Sequence, residues 1–289
     1  MTGHADGRAL IYRGRLAPSP TGYLHLGHAR TFWIAQERAL AHDGVLVFRN
    51  EDLDADRCRP EFVEAMLDDL RWFGLRWQEG PDCGGPVGPY AQRLRMDRFA
   101  AAMTDLSDRG LIYPCVCSRR DIQRALQAPH QGEEEPIYPG TCRSRSRTDA
   151  IEGRSSWRFR VADGEVVQFE DGNSGPQSFV AGRDFGDFIV WRHDGVPSYQ
   201  LAVVVDDAAM AITEVVRGQD LLLSSARQIL LYRALGLPVP AFYHCPLMTD
   251  EAGVRLAKRH DSLSLRTLRG RGYTPAQVRR LAFFQAGCP

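Results

Sequence analysis

The stretch I-Y-R-G-R-L-A-P-S-P-T-G-Y-L-H-L-G-H, Ile11 to His28, decides the reading of the chain. Ile11 to Ala17 reads as a strand that runs into a turn cluster, P-S-P-T-G at Pro18 to Gly22. From Gly27 the pattern becomes helical, with Ala29, Phe32, Trp33 and Leu40 as the expected apolar stripe. V-L-V-F-R at Val45 to Arg49 is a second short buried strand, and acids follow it at Glu51, Asp52, Asp54 and Asp56. Pro60 opens another helix in the first-turn place that proline favours, and Gly74 closes it. Strand, helix, strand, helix predicts an α/β fold around a parallel sheet. Ligands of such sheets sit at the carboxyl ends of the strands, where the P-S-P-T-G turn and the acids after Arg49 both fall.

Further along, residues 79–90 form a Gly/Pro loop, and a helix is expected from about Gln92 to Arg109. The stretch 111–190 changes character: it is rich in Cys, Arg, Gly, Pro and Ser, with short strand-like pieces at Trp157–Val161 and Phe188–Arg192. It reads as an insertion. Parallel-sheet grammar resumes with Y-Q-L-A-V-V-V-D-D at Tyr199 to Asp207, whose Val/Ala-rich run suits a strand buried on both faces. A-I-T-E-V-V-R-G at Ala211 to Gly218 and a helix near Ser224 to Leu235 follow. The expected division is a disordered tail over 1–9, two halves of a catalytic domain at 10–110 and 191–245, the insertion at 111–190, and a basic helical segment at 246–289.

Composition narrows the function classes. The chain has 289 residues, 44% of them hydrophobic, so it can bury a core without disulfide staples. It lacks the apolar run of a membrane span and the apolar core of a signal peptide, which predicts a cytoplasmic protein with no membrane partner. Seven cysteines in such a chain point to metal ligation or catalysis rather than to bridges. The 36 cations are arginines except for one lysine, Lys258. It is either a leftover of a composition bias or a site where a compact point charge cannot be exchanged for a planar fork. From Arg255 to the end there are eight cations and one acid, Asp261, on a chain of net charge zero. That basic end fits a polyanion partner or a solvated helix face.

Two patterns carry chemistry. H-L-G-H places His25 and His28 around Gly27 at a helix start, where free N–H groups and the positive helix end favour phosphate. R-L-A-K-R at Arg255 to Arg259 holds the only lysine in a loop able to neutralise charge developing on a triphosphate. These elements resemble the HIGH and KMSKS signatures of the class I aminoacyl-tRNA synthetases. P-S-P-T-G-Y-L-H-L-G-H, F-R-N-E-D-L-D, Y-Q-L-A-V-V-V-D-D and V-V-R-G-Q-D-L together resemble the glutamyl-tRNA synthetase catalytic core, from Arg15 to Arg259.

The resemblance implies a Rossmann-like doubly wound sheet and a set of site residues. ATP would be held by His25, Gly27, His28, Gly218, Asp220, Lys258 and Arg259, with Mg²⁺ on its phosphates; His25, His28 and Lys258 would be catalytic. L-Glutamate would meet Arg15, Ser19, Glu51, Tyr199 and Arg217. The chemistry suits it: Arg15, Ser19 and Arg217 can hold carboxylates, Glu51 an ammonium, and Tyr199 can add a hydroxyl. Taken alone, Glu51 also fits a helix-capping acid and Tyr199 a core tyrosine. The second signature departs from the family where Ala257 replaces its usual serine, and Arg255 stands where lysine is frequent.

The chain ends 30 residues after Arg259, where the family's protein-synthesis members continue into an anticodon-binding domain. The resemblance is therefore to the stand-alone branch, which attaches glutamate to the queuosine base in the anticodon loop of tRNA(Asp). A monomer is expected. C-x-C at Cys115 and Cys117, with Cys142 about 25 residues on, suggests a structural zinc site, its fourth ligand open by chemistry to His130. The resemblance implies Tyr138 and Cys142 as the last two ligands. Cys58, Cys83, Cys245 and Cys288 show no ligand spacing. Three rivals stand: a truncated glutamyl-tRNA synthetase charging the 3′ end of tRNA(Glu), a catalytically inactive zinc RNA-binding module, and a nucleotidyltransferase acting on another acid.

Overall fold

A computed structural model describes residues 11–118, 120–121, 137–248 and 264–283. The tail over 1–9, His130, Cys288 and the segment carrying Arg255, Ala257, Lys258 and Arg259 lie outside the described residues.

β1 (Arg13–Leu16) and β2 (Val45–Phe48) pair in parallel, with α1 (Leu26–Ala41) between them in the chain. Side chains alternate along β2, so Leu46 and Phe48 enter one core and Val47 the other. α2 (Pro60–Phe73) starts with proline in its first turn and ends at Gly74. Gly74 has φ 108°, a left-handed conformation that glycine adopts without steric cost. A 3₁₀ turn at Gln92–Leu94 precedes α3 (Met96–Asp108), so the helix expected from Gln92 is broken before Met96.

Between α3 and the second half of the main sheet come β3 (Ile112–Cys115), β4 (Ser156–Phe159), β5 (Val166–Asp171), β6 (Gly175–Val180) and β7 (Phe188–Trp191). β3, β4 and β7 make an antiparallel sheet in that order. β5 and β6 form a hairpin instead and join a four-stranded sheet ordered β6-β5-β9-β8, where β8 is Glu214–Gly218 and β9 is Ala241–Cys245. β8 and β9 are parallel, as are β5 and β9. β1 lies against β8: the Thr213 N–H donates to the Arg13 carbonyl at 2.9 Å. Helices α4 (Tyr199–Ala209) and α5 (Leu222–Ala234) pack with α3 on one side. α6 (Leu265–Gly270) and α7 (Pro275–Phe283) pack with α1 and α2 on the other. The fold is the expected α/β one, with a parallel sheet covered on both faces.

Two further expectations fail. Tyr199 to Asp207 is a helix, not a strand. Leu201 to Asp207 are all buried, and a helix buried all round shows the same unbroken apolar run as a buried strand. Packing against α3, α5 and β7 overrides the β preference of Val203 to Val205. Leu40 is 65% exposed and lies off the apolar face of α1, which consists of Leu26, Ala29, Phe32, Ala35 and Ala39. Among the described residues no helix is long and apolar enough to cross a membrane.

Candidate active site

At the ends of β1, β2 and β8 lies a cavity of about 590 Å³. Its lining includes Arg15, Ser19, His25, Gly27, His28, Glu51, Tyr199, Arg217, Gly218 and Asp220. Every described residue singled out for ATP or glutamate is thus brought to one place. Lys258 and Arg259 are outside the described residues, but both flanks of their segment are here. Met248 lines the cavity, and Ser264 bridges to His25.

His25 caps α1. Its Nδ1 accepts the Gly27 N–H at 3.2 Å, while the His25 N–H donates to His28 Nδ1 at 3.4 Å. The two rings lie against each other tilted by 33°, with centroids 3.8 Å apart. A Cβ on residue 27 would come within 3.2 Å of the His25 ring, so glycine is what lets the ring fold back onto the helix start. With both Nδ1 atoms accepting, each neutral imidazole carries its proton on Nε2, as a donor.

The floor is charged. Arg15 and Arg217 are each 4% exposed and Glu51 8%. Burial pushes the Glu51 carboxyl above its usual range, against the pull of Arg49 and Arg15. Beneath it the sequence reading missed a network. Arg49, fully buried, donates to Asp207 at 2.6 Å and to Glu51 at 3.0 Å. Arg95 and Gln92 hold Asp206, and Arg15 Nε lies 3.6 Å from Asp207. Burial pulls the Arg49 guanidinium down, and Asp207, Glu51 and Asp206 more than restore it, keeping it charged. The signal was available: two aspartates ending an apolar run, and an arginine ending a buried strand, need partners.

Arg217 is fixed from three sides. Its Nη1 donates to the Tyr199 hydroxyl at 3.2 Å, its Nη2 to Ser225 Oγ at 2.6 Å, and its Nε to His244 Nε2 at 3.2 Å. Ser225 and His244 belong to no motif and were also missed.

Beside the β3-β4-β7 sheet the sulfurs of Cys115, at the end of β3, and of Cys117 and Cys142, in the adjoining loops, lie within 4.8 Å of one another. The Tyr138 hydroxyl is 3.3 Å from Cys115 Sγ and 3.5 Å from Cys117 Sγ, and it accepts the Cys142 N–H at 2.8 Å. Burial pushes the Cys117 thiol up to about 11 and the Tyr138 phenol far above its ordinary value. Three soft sulfurs and one oxygen converging on a point fit a four-coordinate metal. Arg158 Nε donates to Cys115 Sγ at 3.3 Å, with its guanidinium 3.8 Å from the centre of the Tyr138 ring.

The model of tRNA synthetases class I (E and Q), catalytic domain, matches residues 12–285. A glutamyl-Q tRNA(Asp) synthetase of Nitratidesulfovibrio vulgaris is 48% identical over 273 residues, 93% of this chain and 84% of the relative. Its counterpart in Symbiobacterium thermophilum is 49% identical over 271 residues, 92% of this chain and 83% of the relative. A solved glutamate-tRNA synthetase from Elizabethkingia anophelis matches 91% of this chain at 28% identity and a TM-score of 0.75, and the chain spans 54% of that structure's length. The cavity, its sheet and these likenesses agree: the chain belongs to the class I tRNA synthetases of the E and Q group, through their catalytic domain.

Proposed function

We propose that the chain activates L-glutamate with ATP and transfers the glutamyl group to the queuosine base in the anticodon loop of tRNA(Asp). The observation that carries this is one cavity with two arginine forks and a carboxylate on its floor and a histidine pair at its rim. Glutamate has two carboxylates and one ammonium. Arg15, Ser19 and Arg217 offer donors to the carboxylates, Tyr199 adds a hydroxyl, and Glu51 takes the ammonium. An ammonium at Glu51 would draw its raised pKa back down, so binding favours the ionised carboxylate.

No side chain has to act as nucleophile. A glutamate carboxylate oxygen bonds to the α-phosphorus, the bond to the β-phosphate bridge breaks, and pyrophosphate leaves with the electron pair. His25 and His28 donate through Nε2 to phosphate oxygens as charge shifts onto the leaving group, and Lys258 adds a point charge there. Mg²⁺, held mainly by the phosphates of ATP, would supply further counter-charge. In the second step a hydroxyl of the modified base attacks the acyl carbon and AMP departs, the hydroxyl proton passing to the phosphate. Unstacked loop bases expose edges that a protein can read, and the basic end of the chain suits their phosphates. Cys115, Cys117, Tyr138 and Cys142 would hold one zinc ion, which supplies a structural crosslink to a small sheet.

The test is ATP–pyrophosphate exchange across the amino acids, followed by transfer of labelled glutamate to tRNA. Exchange with glutamate in the absence of tRNA, then label on the queuosine of tRNA(Asp), supports the proposal. Label on the 3′ end of tRNA(Glu) replaces it with the protein-synthesis reading. No exchange with any amino acid removes the enzymatic one.

A further inference from the structure

Behind Arg217 three adjacent strands carry a row of buried polar groups. Arg217 on β8 and His244 on β9 are register partners, and Asp171 ends β5 on the other side of β9. Asp171 is 2% exposed and His244 is fully buried. His244 Nδ1 lies 2.6 Å from Asp171 Oδ2, and its Nε2 lies 3.2 Å from Arg217 Nε and 3.0 Å from Ser225 Oγ.

These contacts assign the protons. Arg217 Nε always carries a hydrogen and only donates, so His244 Nε2 must offer its lone pair. The imidazole proton then sits on Nδ1 and is donated to Asp171. Asp171 is built as an acceptor: the N–H groups of Asn173 and Ser174 point at its Oδ1 at 3.1 Å and 2.8 Å, and the His244 N–H is 3.1 Å from its Oδ2. Ser225 Oγ accepts from Arg217 Nη2, and its single proton is shared between His244 Nε2 at 3.0 Å and the Leu221 carbonyl at 3.3 Å.

An arginine has five N–H groups. His244, Ser225 and Tyr199 take three, which leaves one on each terminal nitrogen. That is the fork a carboxylate accepts in bidentate fashion.

We infer that Asp171 and His244 are positioning residues for the substrate-facing guanidinium. Asp171 fixes His244 as its Nδ1–H tautomer, and the lone pair so presented at Nε2 sets the plane in which Arg217 meets a substrate carboxylate. The inference rests on the glutamate-activating reading of the cavity. A protonated imidazole would set N–H against N–H and turn the fork. Burial and the neighbouring Arg217 hold the His244 pKa down to about 4, so the ring is neutral at working pH. Asp171 and His244 act only through Arg217 and not on the reacting atoms themselves.

The experiment has two arms on the full chain. Ring-nitrogen NMR of the wild type at neutral pH should show one imidazole as the Nδ1–H tautomer, absent from His244→Gln; an Nε2–H tautomer at that position overturns the inference. In ATP–pyrophosphate exchange, Asp171→Asn donates to Nδ1 and moves the proton to Nε2. The glutamate KM should rise by about tenfold or more with the ATP KM inside about twofold. His244→Gln keeps an acceptor and should stay nearer wild type than His244→Leu. That ranking decides the matter if Asp171→Asn does not fold, and its reversal overturns the inference. An unchanged glutamate KM in Asp171→Asn, or equal rises in both KM values, does the same. If the wild type exchanges with no amino acid, the functional reading fails, while the tautomer arm still reports on the relay.

Discussion

Two regions of the molecule keep polar groups out of water by opposite means. Under the cavity, Arg15, Arg49 and Arg95 face Glu51, Asp206 and Asp207 and form a network that is neutral by count. It sits within two large apolar clusters. Against the β3-β4-β7 sheet, Cys115, Tyr138 and Cys142 are themselves most of a small core whose fourth buried member is Tyr113. There the convergent atoms are sulfurs and a phenol, and the guanidinium touching them is Arg158. A large core tolerates buried charge because its own chain supplies the counter-charges. On the proposed zinc reading, a small one would leave its ligand atoms to be satisfied by an ion.

The sharpest way to break this contrast is to remove one arginine from the network. Arg49→Leu leaves Asp207 and Glu51 buried without their partner. Stripping one member from a buried pair costs about 3–5 kcal/mol. Urea unfolding of the variant should show that loss with the metal content unchanged. A cost below 1 kcal/mol, which is what an exposed pair gives, would mean the network is solvated and the contrast is false.

Metal removal addresses the other region. Zinc bound at about 1,000-fold above its Kd stabilises the folded form by about 4 kcal/mol. Chelation should therefore open the β3-β4-β7 sheet first. Limited proteolysis would then cut near Arg145 to Arg154 while sparing β1, β8 and β9. Identical cleavage patterns with and without chelator would sink the idea that this sheet depends on an ion.

How far each region was legible follows from the same physics. The turn Pro18 to Gly22, the proline at 60 and the glycine at 74 are local signals with local causes, and they placed β1, α1, β2 and α2 correctly. Most of the cavity residues were found because H-L-G-H and V-V-R-G-Q-D-L are contiguous. Asp171, Ser225 and His244 are joined only by strand register and by a helix turn, so no window of sequence contains them together. The β5–β6 hairpin was missed although D-G-N-S-G at Asp171 to Gly175 is a turn signal. α4 was misread because the unbroken apolar run Leu201–Val205 has no period to read.

The pH dependence of stability tests the edge of the charged region. Folding lowers the His244 pKa from 6.5 to about 4, through burial first and Arg217 second. Above pH 6.5 the ring is neutral in both states and the full stability is present. As pH falls from 6.5 toward 4 the unfolded chain takes up a proton that the native ring refuses, so stability declines. Below pH 4 both forms are protonated and this contribution levels off. The loss is on the order of 3 kcal/mol for this one group. His244→Gln should flatten the slope in that window relative to wild type, measured as unfolding midpoints at half-unit pH steps. Parallel curves would show that His244 titrates normally.

The smallest expected effect sharpens the comparison most, because it concerns a buried arginine in the wrong region. Arg158 is 4% exposed, yet it is paired with a sulfur, an aromatic face and the Asp187 carbonyl at 3.0 Å, and among the described residues no carboxylate forms a salt bridge with it. An N–H directed at a metal-bound thiolate disperses its charge, and such outer partners alter metal affinity by about 10–100-fold. Arg158→Met keeps the volume and drops the charge. In the chelator-stripped chain it should cost little, since no carboxylate is stranded. In a chelator competition it should weaken zinc by roughly that factor, about 1.4–2.7 kcal/mol. If the stripped variant instead loses as much stability as Arg49→Leu, Arg158 serves a folding role like the arginines under the cavity, and the two regions are built on one principle rather than two.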